Sequence, residues 1–274
     1  SHPLTPYPLL CMYVYTLPTT GKVAFHDFLH TERYAEELAA ATQLRAAVQQ
    51  WLKTQQAAPD ALRTLQLVSD YLPYLVGVYN AQLTDNVLVA GTPRYVWSSA
   101  LSGATAECAA LSFELAFVLV VHAMALSNHA AALVDALGAY ELDVREGADA
   151  RAAGDEKLRA AADHLCRTSG AFAFVATHIV PQWSREWDVG VPDVAAETCL
   201  ALSNMALADA NALAIRRLLA PARAHATDTL TPGPPLPPGH PSPSLLAKLE
   251  VYVADRYAEA RALLRTHEDR KSVV

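Results

Sequence analysis

The sequence predicts a mainly α-helical protein with a small β-sheet near the N-terminus. Ala is very frequent, whereas only 11 of the 274 residues are Gly and few runs alternate β-branched and polar residues. This composition favours close-packed helices over extended sheets. With 52% hydrophobic residues, a chain of this length can bury a sizeable core as one large domain or two small ones.

Charge and cysteine content narrow the class of protein. The formal net charge of -7 argues against a general nucleic-acid binder, because neutralising phosphates requires a basic face. The cysteines Cys11, Cys108, Cys166 and Cys199 form no CxxC pair, and we expect reduced thiols in a cytosolic interior. The first residues lack the pattern of a secretory signal, which predicts a cytoplasmic location.

Short strand-like runs lie near the N-terminus. Residues 10–15 (LCMYVY) and 23–28 (VAFHDF) flank the turn signal TLPTTGK, and RYVWS at 94–98 is a further strand candidate. Their β-branched and aromatic content predicts a small sheet and nothing larger.

Helical periodicity dominates the rest of the chain. Apolar residues recur at helical spacing in 31–56 and in 60–83, where Pro73 should kink or divide the helix. Further helices are predicted at 155–183, 193–220 and 244–270. Seven prolines in 232–243 predict an extended, exposed connection, with a proline ligand for an SH3-type partner as an alternative; Ser242 and Pro243 should cap and begin the last helix.

The stretch 111–135, LSFELAFVLVVHAMALSNHAAALVD, has no charged residue between Glu114 and Asp135. Its uncharged length is sufficient to span a bilayer. However, His122, Asn128 and their polar neighbours would need partners in lipid, and no aromatic belt or basic cluster flanks the stretch. We therefore predict a buried helix of the core.

No motif supports an enzyme. The patterns GxxxxGK[ST], GxGxxG, HExxH and GxSxG are absent. His122 and His129, seven residues apart, could share a helix face as metal ligands, although histidines within the core are the simpler explanation. The acidic run from Asp143 to Asp155 lacks the EF-hand spacing and is expected to be a solvated loop.

Four segments, in the same order, resemble the Bro-type (ALIX-like) domain of proteins associated with ESCRT. The stretch at 111–133 resembles the long core helix of the family through Glu114, Leu115, Val118, Leu119, Ala123 and Ser127. The stretch at 156–175 resembles its next helix through Ala161, Ala162, Ser169, Gly170 and Phe172. LALSNMALADANALAIRRL at 200–218 and LLAKLEVYVADRYAEA at 245–260 resemble the two helices that follow.

Within this family the chain most resembles the PalC group of fungal ambient-pH response regulators. The similarity extends to TLPTTGKVAFHDF at 16–28, SDYLPYL at 69–75 and WSSALS at 97–102. The resemblance implies a curved, tetratricopeptide-like helical array, with residues 1–274 forming a single Bro-type domain and 231–243 an internal proline-rich loop.

The resemblance also implies a function and a site. It implies a non-enzymatic adaptor without cofactor or metal that binds the C-terminal amphipathic helix of the ESCRT-III filament subunit in an apolar and basic groove. Leu245 and Leu249 match the groove wall, and Arg217 and Arg159 match basic positions. Their neighbours Arg216, Ile215 and Leu246 are weaker candidates, and Ala214 stands where the family often has a large aromatic residue.

The residues themselves leave other interpretations open. Leu245 and Leu249 could be ordinary core between helices, Arg159 a solvated charge, and Arg216 and Arg217 cations that stabilise the C-terminal end of a helix. A helical-repeat scaffold for another peptide would keep the same fold. The resemblance implies further partners in pH signalling, no nucleic acid, and indirect, peripheral recruitment to the plasma membrane or endosomes.

Overall fold

The computed structural model describes residues 12–31, 33–54, 60–84, 88–89, 93–138, 140, 148–182, 190–224, 236 and 240–272. Consecutive long helices pack side by side in chain order, which is the arrangement of a helical array. The helices are α1 (Ala35–Thr54), α2 (Ala61–Thr84), α3 (Leu111–Leu137), α4 (Ala148–Phe174), α5 (Ala196–Ala224) and α6 (Pro243–Ser272). The mainly α-helical prediction is confirmed.

In the described residues, the strands form two antiparallel pairs, and a single bridge joins Thr20 to Trp97. β1 (Leu29–His30) pairs with β2 (Leu88–Val89), and β3 (Tyr95–Ser98) pairs with β4 (Thr105–Cys108). The strand predicted at 94–98 is therefore confirmed. Its partner β4 was missed, because TAEC carries little of the β-branched and aromatic signal on which a strand prediction rests.

The two earlier strand predictions are wrong in the described residues. Phe25–Asp27 forms a 3-10 helix, and residues 12–15 are extended but belong to no strand. The side-chain amide of Asn128 supplies the hydrogen bonds that a neighbouring strand would otherwise make. The N–H of Tyr15 donates to Oδ1 of Asn128 at 2.7 Å, and Nδ2 of Asn128 donates to the Tyr15 carbonyl at 2.8 Å. Tertiary contacts thus satisfy a backbone that the local sequence marks as a strand.

Helix α2 continues through Pro73, contrary to the predicted division. Proline removes one helical hydrogen bond, but Pro73 lies on the exposed side of α2 while Tyr71, Leu75 and Val78 on the other side are buried. Packing of this apolar face holds the helix together on both sides of the proline.

Helix α3 is the centre of the core. By length and composition alone, α3 and the stretch Ala196–Pro221 of α5 could each cross a membrane, but 72% of the apolar window of α3 is buried against other parts of the protein. Val120, Val121 and Met124 are fully buried. The burial of α3 within the protein explains its apolar composition, so the prediction of a buried core helix is confirmed.

A buried ion pair ties α3 to the first two helices and to β3. Glu114 accepts hydrogen bonds from Arg45 Nε at 2.8 Å, Trp97 Nε1 at 2.7 Å and the Tyr71 hydroxyl at 3.3 Å. The Arg45 guanidinium also donates to Thr20 Oγ1 at 3.0 Å. Glu114 is fully buried and Arg45 nearly so, so each charge depends on the partners that the fold supplies.

Helix α4 begins earlier than predicted and includes part of the expected acidic loop. Asp149 lies in its first turn, where the helix dipole favours a carboxylate. Asp155 accepts a hydrogen bond from the Tyr140 hydroxyl at 2.5 Å. The prediction of a loop is therefore wrong for Asp149 and Asp155, whereas Asp143 and Glu146 lie outside the described residues.

The end of the fold agrees with the predicted helix start. Ser242 Oγ accepts a hydrogen bond from the Leu245 backbone N–H at 3.3 Å, which is the N-cap arrangement, and Pro243 is the first residue of α6. Most of the proline-rich segment lies outside the described residues.

The cysteines only partly follow the prediction of an interior position. Cys108 and Cys199 are buried free thiols, but Cys166 is exposed, contrary to that prediction. Cys11 is outside the described residues.

Candidate functional site

The predicted site residues are carried by three helices that pack consecutively, α4 on α5 and α5 on α6. Helices α4 and α5 are antiparallel, since Ser169 Oγ lies 2.9 Å from Ser203 Oγ and Leu158 shares a core cluster with Leu213. Arg159 follows Leu158, and Arg217 comes one turn after Leu213. The structure therefore brings Arg159 and Arg217 to the same end of the α4–α5 pair.

Polar contacts join α5 to α6 near the middle of both helices. Arg256 Nη1 donates to Asn204 Oδ1 at 3.4 Å, and the Tyr257 hydroxyl donates to Asp209. Burial raises the pKa of the Asp209 carboxyl, and the hydrogen bond from Tyr257 offsets part of that increase. This seam positions α6 on the outer side of the array.

The outer helix α6 presents large side chains along one face. Leu245, Leu249, Tyr252 and Arg256 follow one another at helical spacing, so they lie in one row. Leu245 is 45% exposed and Tyr252 is 39% exposed, while Leu249 and Leu246 are half-buried. The Arg256 guanidinium lies 5.2 Å from the centroid of the Tyr252 ring, a separation typical of a cation–π contact.

Helix α5 adds an exposed apolar and basic segment. Ala214 and Arg217 are exposed, and Leu218, one turn after Ala214, is 40% exposed. Ile215 between them is half-buried. Leu218 was not among the predicted residues, although its spacing from Ala214 is a signal that sequence analysis could have used.

Arg216 does not join the exposed residues. It is only 8% exposed, donates a hydrogen bond to the Gly138 carbonyl after α3, and lies over the Tyr140 ring with its guanidinium carbon 5.8 Å from the centroid. Successive helical residues point in different directions, so the neighbour of an exposed Arg217 faces the interior. We therefore remove Arg216 from the candidate site.

Arg159 is exposed and pairs with Glu156 at 2.9 Å. Such an exposed pair contributes little to stability, about 0–1 kcal/mol. The side chain is thus a surface cation beside the Arg217 end of α5, and its environment agrees with either a ligand contact or a solvated charge.

The two histidines of α3 lie about two helical turns apart. The ring of His129 lies 4.9 Å from that of His164 on α4, in an edge-to-face contact. Burial lowers the pKa of His122, His129 and His164, which favours neutral rings. Among the described residues, no group of three or more His, Cys, Asp or Glu side chains is arranged to hold a metal ion.

Comparison with known proteins identifies the architecture. The family model of the BRO1-like domain matches residues 24–273. A curated relative, the pH-response regulator protein palC of Cryptococcus neoformans var. neoformans serotype D, is 33% identical over 284 aligned residues, which cover 93% of this chain and 57% of the relative. The chain thus spans somewhat more than half the length of this relative.

Solved structures show the same fold. The BRO1 domain of ALIX in complex with CHMP4C matches with a TM-score of 0.61 and 19% identity, covering 93% of this chain and 65% of that chain. A Bro1 domain structure described as the basis for endosomal targeting matches with a TM-score of 0.55 and 14% identity, covering 95% of this chain and 62% of the other. On the sequence match and the shared helical array, the chain belongs to the BRO1-like domain family.

Proposed function

We propose that the face formed by α4, α5 and α6 binds the C-terminal amphipathic helix of the ESCRT-III filament subunit, and that the chain acts as a non-enzymatic adaptor in fungal ambient-pH signalling. The observation that carries the proposal is the row on α6 in which Leu245 and Tyr252 are exposed and Leu249 is half-buried, on a helix that packs against α5 and its exposed Arg217. The structure of the ALIX BRO1 domain in complex with CHMP4C, an ESCRT-III subunit, and the pH-response relative support the choice of ligand and pathway.

The apolar part of the proposed site consists of Leu245, Leu249, Tyr252 and Leu218. An amphipathic helix places its own apolar residues three and four positions apart and can align them with such a row. Covering each large side chain removes apolar surface from water, which favours association by about 25 cal/mol per Å² buried. Leu218 would supply apolar contact surface one turn after Ala214, where the family often has a large aromatic residue, and Tyr252 would supply it on α6.

The basic part of the proposed site consists of Arg217 and Arg159, with Lys248 exposed on α6. Acidic positions on a ligand helix would meet these side chains, and such charge complementarity sets the orientation and the association rate and adds to affinity where the pair is removed from water. Ordering a flexible peptide offsets much of the burial, so we expect a dissociation constant on the order of micromolar. Recruitment to the plasma membrane or endosomes would then be indirect, through the partner.

The test is calorimetric titration of the chain with a peptide of the ESCRT-III subunit's C-terminal helix. Leu249→Asp and Arg217→Glu should each reduce binding strongly while circular dichroism shows an intact fold. Val251→Asp is the matched control for the first variant, because Val251 is 60% exposed on another side of α6. Arg63→Glu, an exposed arginine on α2, is the control for the second.

Two results would contradict the proposal. One is no binding by the unmodified chain of a peptide that the ALIX domain does bind under the same conditions. The other is equal loss of binding in the site variants and their controls. Either result would favour a helical scaffold for another partner on the same fold.

A further inference from the structure

A second surface feature lies at the opposite end of the array, between the start of α1 and the second half of α2. It is a cleft of about 450 Å³, a volume within the usual range for ligand sites. None of the α4–α6 residues considered above contributes to it. Its lining includes Leu29, Tyr34, Glu37, Leu38, Tyr74 and Val78.

The cleft has an apolar floor and aromatic walls. Leu29, Leu38 and Val78 are buried beneath it. Tyr34, directly before α1, and Tyr74 of α2 stand at its sides and are partly exposed. Tyrosine combines a large apolar ring with a polar hydroxyl, which makes it a frequent contact residue for peptides.

Two helix-destabilising residues keep the cleft open. Pro73, Gly77 and the small Ala81 are one turn apart along α2, so no bulky side chain projects between the tyrosines. In a helix interior, Gly costs about 1 kcal/mol and Pro about 3 kcal/mol relative to Ala. A Cβ added to Gly77 would meet nothing within 4 Å, and its φ is not positive. Neither packing nor backbone conformation requires glycine here, and a large side chain at this position would project into the cleft.

The charge of the cleft indicates its occupant. Glu37 is the only charged residue among the described lining residues, and no Lys or Arg lines the cleft there. Glu36 precedes Glu37 in the first turn of α1, and exposed Asp70 lies one turn before Tyr74. Arg33 places its guanidinium carbon 5.0 Å from the centroid of the Tyr34 ring, and with this one cation the carboxylates of Glu36, Glu37 and Asp70 still make the rim net negative.

We propose that this cleft is a second docking site, which binds a peptide segment of a partner protein carrying an apolar side chain next to Lys or Arg. The apolar side chain enters between Tyr34 and Tyr74 over the buried floor. The neighbouring cation lies near Glu37 at the rim. The site is independent of the proposed ESCRT-III surface, and both can be occupied at once.

The test is selection of peptides from a random-sequence library on the immobilised chain, followed by affinity measurement of the enriched peptides. The cleft should enrich peptides with an apolar residue beside Lys or Arg. Gly77→Phe, which fills the cleft, should weaken their binding at least tenfold. Glu37→Lys should weaken it about two- to fivefold, as for loss of an exposed ion pair.

The matched control is Gly170→Phe on α4, because a Cβ there also meets nothing within 4 Å. It should leave the affinity of the enriched peptides unchanged, as should Leu249→Asp, which separates this site from the α4–α6 surface. Unfolding curves of Gly77→Phe confirm that the variant is folded. Failure to enrich such peptides, or equal binding by folded Gly77→Phe, would overturn the proposal and leave the proposed ESCRT-III function unaffected.

Discussion

Two regions of the protein differ in where they place charged and apolar side chains. One is the junction of α1, α2 and α3, and the other is the outer face of α4–α6. At the junction, Arg45 and Glu114 are buried and joined to Trp97 and Tyr71 by hydrogen bonds. On the outer face, Arg159 and Arg217 are exposed and Leu245 and Tyr252 keep large exposed fractions. The first region therefore contributes stability to the fold, and the second offers surface that a partner can bury.

The same residue type, arginine, therefore has different roles in the two regions according to whether it is buried or exposed. An arginine paired inside the protein must keep its partner, because an isolated buried charge is very unfavourable. An exposed arginine can exchange water for a ligand carboxylate at little cost to the fold. Changes at the junction should thus affect unfolding, and changes on the outer face should affect binding.

The largest expected effect is that of Glu114→Ala. It leaves the Arg45 charge and the donors of Trp97 and Tyr71 without their acceptor, and breaking a buried pair in this way costs about 3–5 kcal/mol. Urea unfolding monitored by circular dichroism measures the change. Glu107→Ala, which removes the partly exposed partner of Arg94, is the control and should change the free energy of unfolding by less than about 0.5 kcal/mol.

Two glycine substitutions, one at a packed position and one at an open position, test how burial determines the effect of an added side chain. In Gly154→Ala, the new Cβ would lie 2.3 Å from Cδ2 of Tyr140, so the variant should lose about 1–3 kcal/mol through overpacking. Gly77→Ala meets open space and should gain up to about 1 kcal/mol. Thermal unfolding of both variants measures the difference, and equal effects would contradict the packing described at Tyr140.

The pH dependence of stability should reveal the raised pKa of Asp193, whose carboxyl group is buried. It accepts hydrogen bonds from the Ser99 hydroxyl and from the Ala100 N–H at 2.7 Å. Burial raises its pKa above the ordinary value of 3.8, although these hydrogen bonds oppose the shift. Because the folded state then binds the proton more tightly than the unfolded state, this stabilisation is greatest below the ordinary pKa and is lost as pH rises through the raised value.

The measurement is the free energy of unfolding of the chain and of Asp193→Asn across this acidic range. The stability of the chain relative to Asp193→Asn should decrease as pH rises above the ordinary Asp pKa. Other carboxyl groups titrate in both proteins and cancel in the difference. A difference that does not change with pH, or that increases, would contradict the assigned shift.

The smallest expected effect is that of Arg159→Glu on binding of the ESCRT-III peptide. Arg159 lies at the exposed rim and already pairs with Glu156, so we expect a loss of less than about 1 kcal/mol, with a clearer decrease in the association rate. Stopped-flow association at low and high salt measures it. A loss as large as that for Leu249→Asp would move Arg159 from the rim to the centre of the site.

Much of the fold was predictable from local patterns. The spacing of apolar residues predicted the six long α-helices of the described residues, and Ser242 and Pro243 predicted the start of α6. Boundaries were less accurate where contacts distant in sequence decide: α4 begins at Ala148, and Tyr140 packs against Gly154 in the region predicted as a loop. The candidate site stays a prediction, and the sequence alone did not show which of its residues are exposed, because burial depends on neighbouring helices.

The sequence by itself determined the helical class, the central position of α3 and the family, since these depend on composition, apolar spacing and ordered motifs. Only the tertiary structure decided that Arg216 faces Tyr140 while Arg217 faces solvent, and that Leu218 and Tyr252 are exposed. It also decided that Pro73 and Gly77 border an open cleft. Exposure of a side chain is a property of the packed assembly, because each helix direction is open or covered only once its neighbours are in place.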